Sequence, residues 1–159
     1  MCEYCGCQAL SAIDELTREH ELVLSLISDV RTAQRNGDMS RMADLARQIA
    51  SVLGPHTAVE EQSLFPALAS DFPDQIAVLA AEHQSVDAVL AEASAGSPDD
   101  ATWPDRLITT LVLLRQHIFK EQDGVFPAAL ASLGTSEWEA VEAARIRTGT
   151  RLASQVPAR

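Results

Sequence analysis

The stretch HTAVEEQSLFPAL, residues 56–68, returns almost phrase for phrase as HIFKEQDGVFPAAL, residues 117–130. Superposed, His56 falls on His117, Glu60 on Glu121, Phe65 on Phe126 and Pro66 on Pro127, a constant offset of 61 residues. The other two histidines of the chain repeat as well: His20 and His83, each preceded by Glu, lie 63 residues apart. One half of the molecule therefore resembles the other, and the segments between these positions decide the fold.

Apolar residues recur at helical spacing nearly everywhere, and the helix breakers divide the pattern into four long segments. The first helix is expected from about Ser11 to Gln34, with Asn36-Gly37-Asp38 as its stop. The second runs from about Ser40 to Ala69 and is bent or interrupted at Pro66, which has no N–H to donate. The third starts near Pro73 and ends before Gly96-Ser97-Pro98. The fourth runs from about Pro104 to Ala131, disturbed by Pro127 in the same way. After Gly134, Ser136 followed by Glu139 reads as a capping box, and Trp138, Val141 and Ile146 are expected to lay a short fifth helix over the bundle. Short connections make successive helices antiparallel, so the predicted fold is all-α, an up-down-up-down four-helix bundle with a short C-terminal fifth helix. The chain divides into an N-terminal arm over 1–9 carrying the cysteines, the bundle over 10–133, and the short helix and tail over 134–159, loose from about Gly149.

The 159 residues suit one compact domain, and 47% hydrophobic with 22% charged residues is the profile of a chain that folds. A net charge of −11, with eleven scattered Arg and the single Lys120, argues against phosphate-backbone binding, so no nucleic-acid partner is expected. Apolar runs such as LITTLVLL, 107–114, are too short to span a bilayer, and the amino terminus lacks the pattern of a signal peptide. No membrane partner is expected, and a cytoplasmic location is the simplest reading.

At about 100° per residue, His20 shares its helix face with Ile13, Leu16, Val23, Leu24 and Ile27, which form a buried stripe. His83 shares its face with Ile76, Leu79, Val86, Asp87 and Leu90. His56 lies with Ile49, Val52, Leu53, Val59 and Glu60, and His117 with Leu113, Leu114 and Glu121. A His and a Glu at i and i+4 stand one above the other, so each pair converges on one small volume in the bundle centre. Two buried carboxylates facing each other raise one another's pKa and need cations beside them. Four imidazoles and two carboxylates are too many donors for one tetrahedral site; they suit two metal ions bridged by the carboxylates, with solvent-derived oxygen at the remaining positions. A single His on an apolar face is more often a core residue with one hydrogen bond. Here all four sit on apolar stripes in register under the repeat, and none is left over.

This spacing of His20, then His56 with Glu60, then His83, then His117 with Glu121, and FP after each Glu, resembles the hemerythrin-like (HHE cation-binding) proteins over roughly residues 10–132. The resemblance implies a non-haem centre of two iron ions bridged by both Glu carboxylates and by oxo or hydroxo, with no haem. The pairing of the two halves then places His20 and His56 near one metal and His83 and His117 near the other. The oxygen-carrying members have a further His one turn after the third; here that position is Asp87. Four histidines make the centre more symmetric and better suited to reacting with peroxide, dioxygen or nitric oxide than to storing oxygen. Asp87 is expected to orient an imidazole from outside. The expected function is peroxide decomposition, a catalase-like activity, or protection against reactive oxygen and nitrogen species, with a diatomic molecule or peroxide as ligand. The alternative is an oxygen- or iron-responsive sensor without turnover.

Cys2, Cys5 and Cys7 offer three soft ligands at close spacing, able to bind a thiophilic metal or to form a disulfide. Three thiolates with no fourth ligand nearby do not close a zinc site, so the plainer reading is a mobile, reduced tail and the functional one a redox or metal-relay arm. Glu61, whose counterpart is Gln122, reads as a surface group or an outer partner of the site. Phe65 and Phe126 fall about 180° around the helix from their histidines and are read as packing. Tyr4 is too near the terminus to serve as a ligand.

Overall fold

The computed structural model describes residues 5–149, with side chains from Cys7 onward. Every regular element among them is helical: α1 (Cys5–Arg35), α2 (Met39–Val59), α3 (Phe65–Leu68), α4 (Pro73–Ala91), α5 (Trp103–Lys120), α6 (Phe126–Ser132) and α7 (Thr135–Thr148). A π-helical turn, Glu60–Leu64, joins α2 to α3, and a second, Glu121–Val125, joins α5 to α6. The result is a helical bundle in which α1 packs on α2 and α5, and α4 packs on α2 and α5. No helix among the described residues is long and apolar enough to cross a membrane.

Local chemistry sets the boundaries. Gly37 takes φ 66°, which costs a residue without Cβ little, and lets the Asp38 N–H return to the Ala33 carbonyl at 2.9 Å. Asp38 then caps α2, its Oδ1 accepting from the Arg41 N–H at 3.0 Å. Pro73 and Pro104 occupy the first turns of α4 and α5, where a missing N–H costs nothing. Trp103 is fully buried and donates its indole N–H to the Val89 carbonyl at 3.0 Å, fastening the start of α5 to α4.

Four expectations change. The first helix starts at Cys5, six residues before Ser11, so much of the presumed arm is helical. The breaks in the second and fourth helices fall ahead of Pro66 and Pro127. Each ring would press on the carbonyl four residues back, and widening the turn before it relieves that clash. The Phe65 N–H accordingly reaches the Glu60 carbonyl and the Phe126 N–H the Glu121 carbonyl, five residues back. The start of α7 is organised by Gly134 and Glu137 in place of Ser136 and Glu139: the Gly134 N–H donates to Glu137 Oε2 at 2.8 Å. Trp138 and Val141 are buried as expected, but Ile146 is 74% exposed, because the buried stripe of α7 continues through Ala144 and Arg145. The tail beyond Gly149, together with Cys2 and Tyr4, lies outside the described residues.

The apolar interior is in two parts. One gathers Val23, Ile27, Leu53, Val86 and Leu114 around Trp103; the other gathers Leu16, Val59, Leu64, Leu79 and Phe126 around Trp138. On α1, α2 and α4 the chain passes from one part to the other at His20, His56 and His83.

Candidate metal centre

Between these two apolar parts, the six repeated side chains meet. His20 comes from α1, His56 from α2, His83 from α4 and His117 from α5, while Glu60 and Glu121 open the two π turns. All six are buried, the two glutamates completely. Donor atoms of His20, His56, Glu60 and Glu121 lie within 4.8 Å of one another, and so do those of His83, His117, Glu60 and Glu121. The imidazoles are thus paired as the repeat implies, and both carboxylates belong to both groups. Nε2 faces inward in every ring: His56 Nε2 is 2.8 Å from Glu60 Oε1, His83 Nε2 3.2 Å from Glu60 Oε2, and His20 and His117 Nε2 3.1 and 3.2 Å from Glu121 Oε1.

The outward nitrogens are held too. His56 Nδ1–H donates to Glu19 at 3.4 Å and His117 Nδ1–H to Glu82 at 3.2 Å, while His83 Nδ1–H donates to Glu61 and His20 Nδ1–H to Gln122, both at 3.0 Å. A carboxylate or amide oxygen accepting at Nδ1 puts the proton there and leaves the Nε2 lone pair for a cation. The Glu before His20 and the Glu before His83 therefore serve the histidine of the following helical segment, a role the sequence reading did not assign. The residues after Glu60 and Glu121 serve His83 and His20. This outer ring keeps the internal symmetry except at one place, where Glu61 is matched by the neutral Gln122.

Three readings of the sequence change at this site and near the amino terminus. Phe65 and Phe126 are not remote packing: Phe65 stacks on His83 and Phe126 on His20, each with ring centroids 5.4 Å apart and planes 10° apart. The 100° rule misplaces them because each π turn adds a residue between the histidine and the phenylalanine and so resets the phase by about 100°. Asp87 is exposed, and among the described residues no imidazole donates to it; the His83 ring is oriented by Glu61 instead. Partial shielding of its carboxyl from water raises the Asp87 pKa, only partly offset by the His83 charge. Near the amino terminus Cys7 is exposed and disulfide-bonded, in place of the reduced thiol expected; Cys2 and the Cys5 side chain lie outside what is described.

The family model for the hemerythrin HHE cation-binding domain matches residues 11–129. The chain belongs to that family. No curated protein and no solved structure matches it.

Cation binding is what the name of the HHE domain describes, and the donor set of this chain fits it. Among the described residues, His56 Nε2, His117 Nε2, both oxygens of Glu60 and Glu121 Oε2 are buried without a well-directed hydrogen bond, although His56 Nε2 and Glu60 Oε1 stand only 2.8 Å apart. Buried polar atoms are almost always paired, and a cluster of orphaned donors around one volume is what a cation would satisfy. Electrostatics agree. Burial works against the charge of His56, yet Glu60, Glu19 and Glu121 outweigh it and hold the pKa well above the ordinary value. Burial likewise opposes His83, but Glu60 and Glu61 push it up to about 9. Burial favours the neutral form of Glu60, and the charge of His56 reverses this, lowering its pKa well below the usual carboxylate range. The cage is an anionic pocket that draws positive charge onto its imidazoles, and metal cations are the stronger claimants to such a site.

Proposed function

We propose that this HHE domain is an up-down-up-down bundle holding two iron ions, one against His20 and His56 and the other against His83 and His117, with Glu60 and Glu121 shared. We further propose that the centre decomposes peroxide, converting two molecules of hydrogen peroxide into two of water and one of dioxygen, and so protects against reactive oxygen species. The observation that supports this reading is the equal division of donors, two imidazoles and two shared carboxylates for each ion. Asp87 stands where the oxygen-carrying members have a further histidine, and it belongs to neither donor group, so each ion would be held by two imidazoles and the shared carboxylates alone.

When bound, a pair of iron ions supplies a redox couple able to break an oxygen–oxygen bond. The chain does the rest. The four Nδ1 hydrogen bonds lock the imidazoles with Nε2 inward, so the cage is preorganised before anything enters. Phe65 and Phe126 close over His83 and His20 and limit water around the centre. Glu61, 43% exposed on its side chain, links His83 Nδ1 to solvent and can take a proton there, whereas the Gln122 amide opposite cannot.

The test is direct. Purified, iron-loaded protein is expected to evolve oxygen from peroxide through repeated turnovers, and His56→Ala to abolish it. A fully loaded centre that does not turn over would remove the peroxide reading.

A further inference from the structure

Helix α7 lies against one half of the bundle and, among the described residues, has no equivalent on the other. It packs on α1, α2 and the first π turn, where Trp138, Val141 and Ala144 join Ala9, Ala12, Leu16, Val59 and Leu64 in one apolar cluster. At its end Arg145 pairs with Glu15, and Arg147 donates to Gln62 Oε1 at 3.2 Å. Carried across by the repeat, the covered surface becomes Phe72, Gln75, Leu79, Lys120 and Val125, with Val78 in place of Glu15 and Asp123 in place of Gln62. All seven line a single apolar groove of about 560 Å³.

This groove is the internal twin of one the chain fills with its own helix, and none of the described residues covers it. Phe72 is 39% exposed where its counterpart Ala9 is 4% exposed, and a Cβ placed on Gly124 would meet no atom within 4 Å. The free charge at its rim is acidic: Lys120 is engaged by Glu82 at 2.6 Å, while exposed Asp123 forms no ion pair among the described residues. Asp74 stands one helical turn from Val78 and adds to the same sign.

We propose that this groove docks an amphipathic helix of a partner protein, seated as α7 is seated in the other half. The differences between the twins specify the helix. It carries a large aromatic anchor where α7 has Trp138, an apolar side chain against Val78 where α7 has Arg145, and Arg or Lys against Asp123 where α7 has Arg147. Charge favours such a helix over a second copy of this chain, whose net charge of −11 would repel its like. The inference is independent of which metal the cage holds.

The probe is a labelled peptide of residues 134–149 carrying Arg145→Leu, titrated by fluorescence polarisation into the full metal-loaded chain. Saturable binding is expected, at least several-fold tighter than that of the native-sequence peptide, whose arginine would face Val78 without a partner. Val78→Asp and Asp123→Lys in the protein, both at exposed positions, should each weaken it about tenfold, the second more at low salt than at high salt. Absence of saturable binding overturns the proposal. So does binding that Val78→Asp leaves unchanged, or a preference for the native-sequence peptide, which would mark displacement of the chain's own α7. Sedimentation showing a dimer that Val78→Asp dissociates would assign the groove to a second copy. An apolar dye that Val78→Asp excludes, when no peptide binds, would assign it to a small molecule.

Discussion

Replacing Glu60 by Gln keeps the volume of the side chain and removes a carboxylate common to both donor groups, so it is expected to cost the protein both ions. The size of the effect follows from mass action. A cation present at a hundred times its dissociation constant stabilises the folded state by about 2.7 kcal/mol, so two contribute roughly 5 kcal/mol. In a chain of this length each kcal/mol moves the melting temperature by about 2–4 °C. Stripping the wild-type protein with a chelator should therefore lower its melting temperature by roughly 10–20 °C, and Glu60→Gln should melt at the same temperature with and without chelator. Thermal melts followed by circular dichroism, with metal content measured on the same samples, provide both readings. A Glu60→Gln protein that still holds two ions per chain and responds to chelator like the wild type would refute the shared-carboxylate arrangement.

Two further outcomes follow from the same cage. Phe126 is buried and stacked on His20, so Phe126→Ala should cost about 3–5 kcal/mol in urea unfolding; a loss below about 1 kcal/mol would show that the ring is not a packed wall of the site. In chelator-stripped protein, His83 is opposed by burial but pushed from 6.5 to about 9 by Glu60 and Glu61, so the folded state favours its charged form. That contribution, roughly 3 kcal/mol, is complete below pH 6.5 and is lost as pH rises through 9. The urea midpoint of the stripped protein should fall across that window, while the loaded protein, in which protons compete with metal, should not. A flat profile for the stripped protein would count against the coupling of His83 to Glu60.

The clustering of the six side chains was legible because it is carried by a repeat. His20, His56, His83 and His117 mark one register on four apolar stripes, and an i, i+4 relation puts Glu60 and Glu121 on the same faces without any knowledge of tertiary structure. The stacking of Phe65 and Phe126 was not legible in the same way. It depends on a change of helical period at the glutamates, and a constant 100° step carries both rings to the wrong side. The partners of Nδ1 were hidden for a different reason: Glu19 and Glu82 serve a histidine on a neighbouring helix, and intrahelical spacing says nothing about such contacts. Asp87 failed the other way. It sits at a position that shares the His83 stripe, but at its edge, where the structure leaves it to solvent. At the end of the chain, Ser136 and Glu139 matched a capping pattern, yet the cap of α7 falls two residues earlier, at Gly134, and Glu137 does the capping.

Anomalous diffraction from crystals of aerobically purified protein, collected on both sides of the iron absorption edge, tests the central claim most directly. Two iron peaks per chain are predicted, one beside His20 and His56 Nε2 and the other beside His83 and His117 Nε2, with Glu60 and Glu121 reaching both. A single peak, a pair of peaks outside the cage, or a signal absent at the iron edge in fully loaded protein would contradict it.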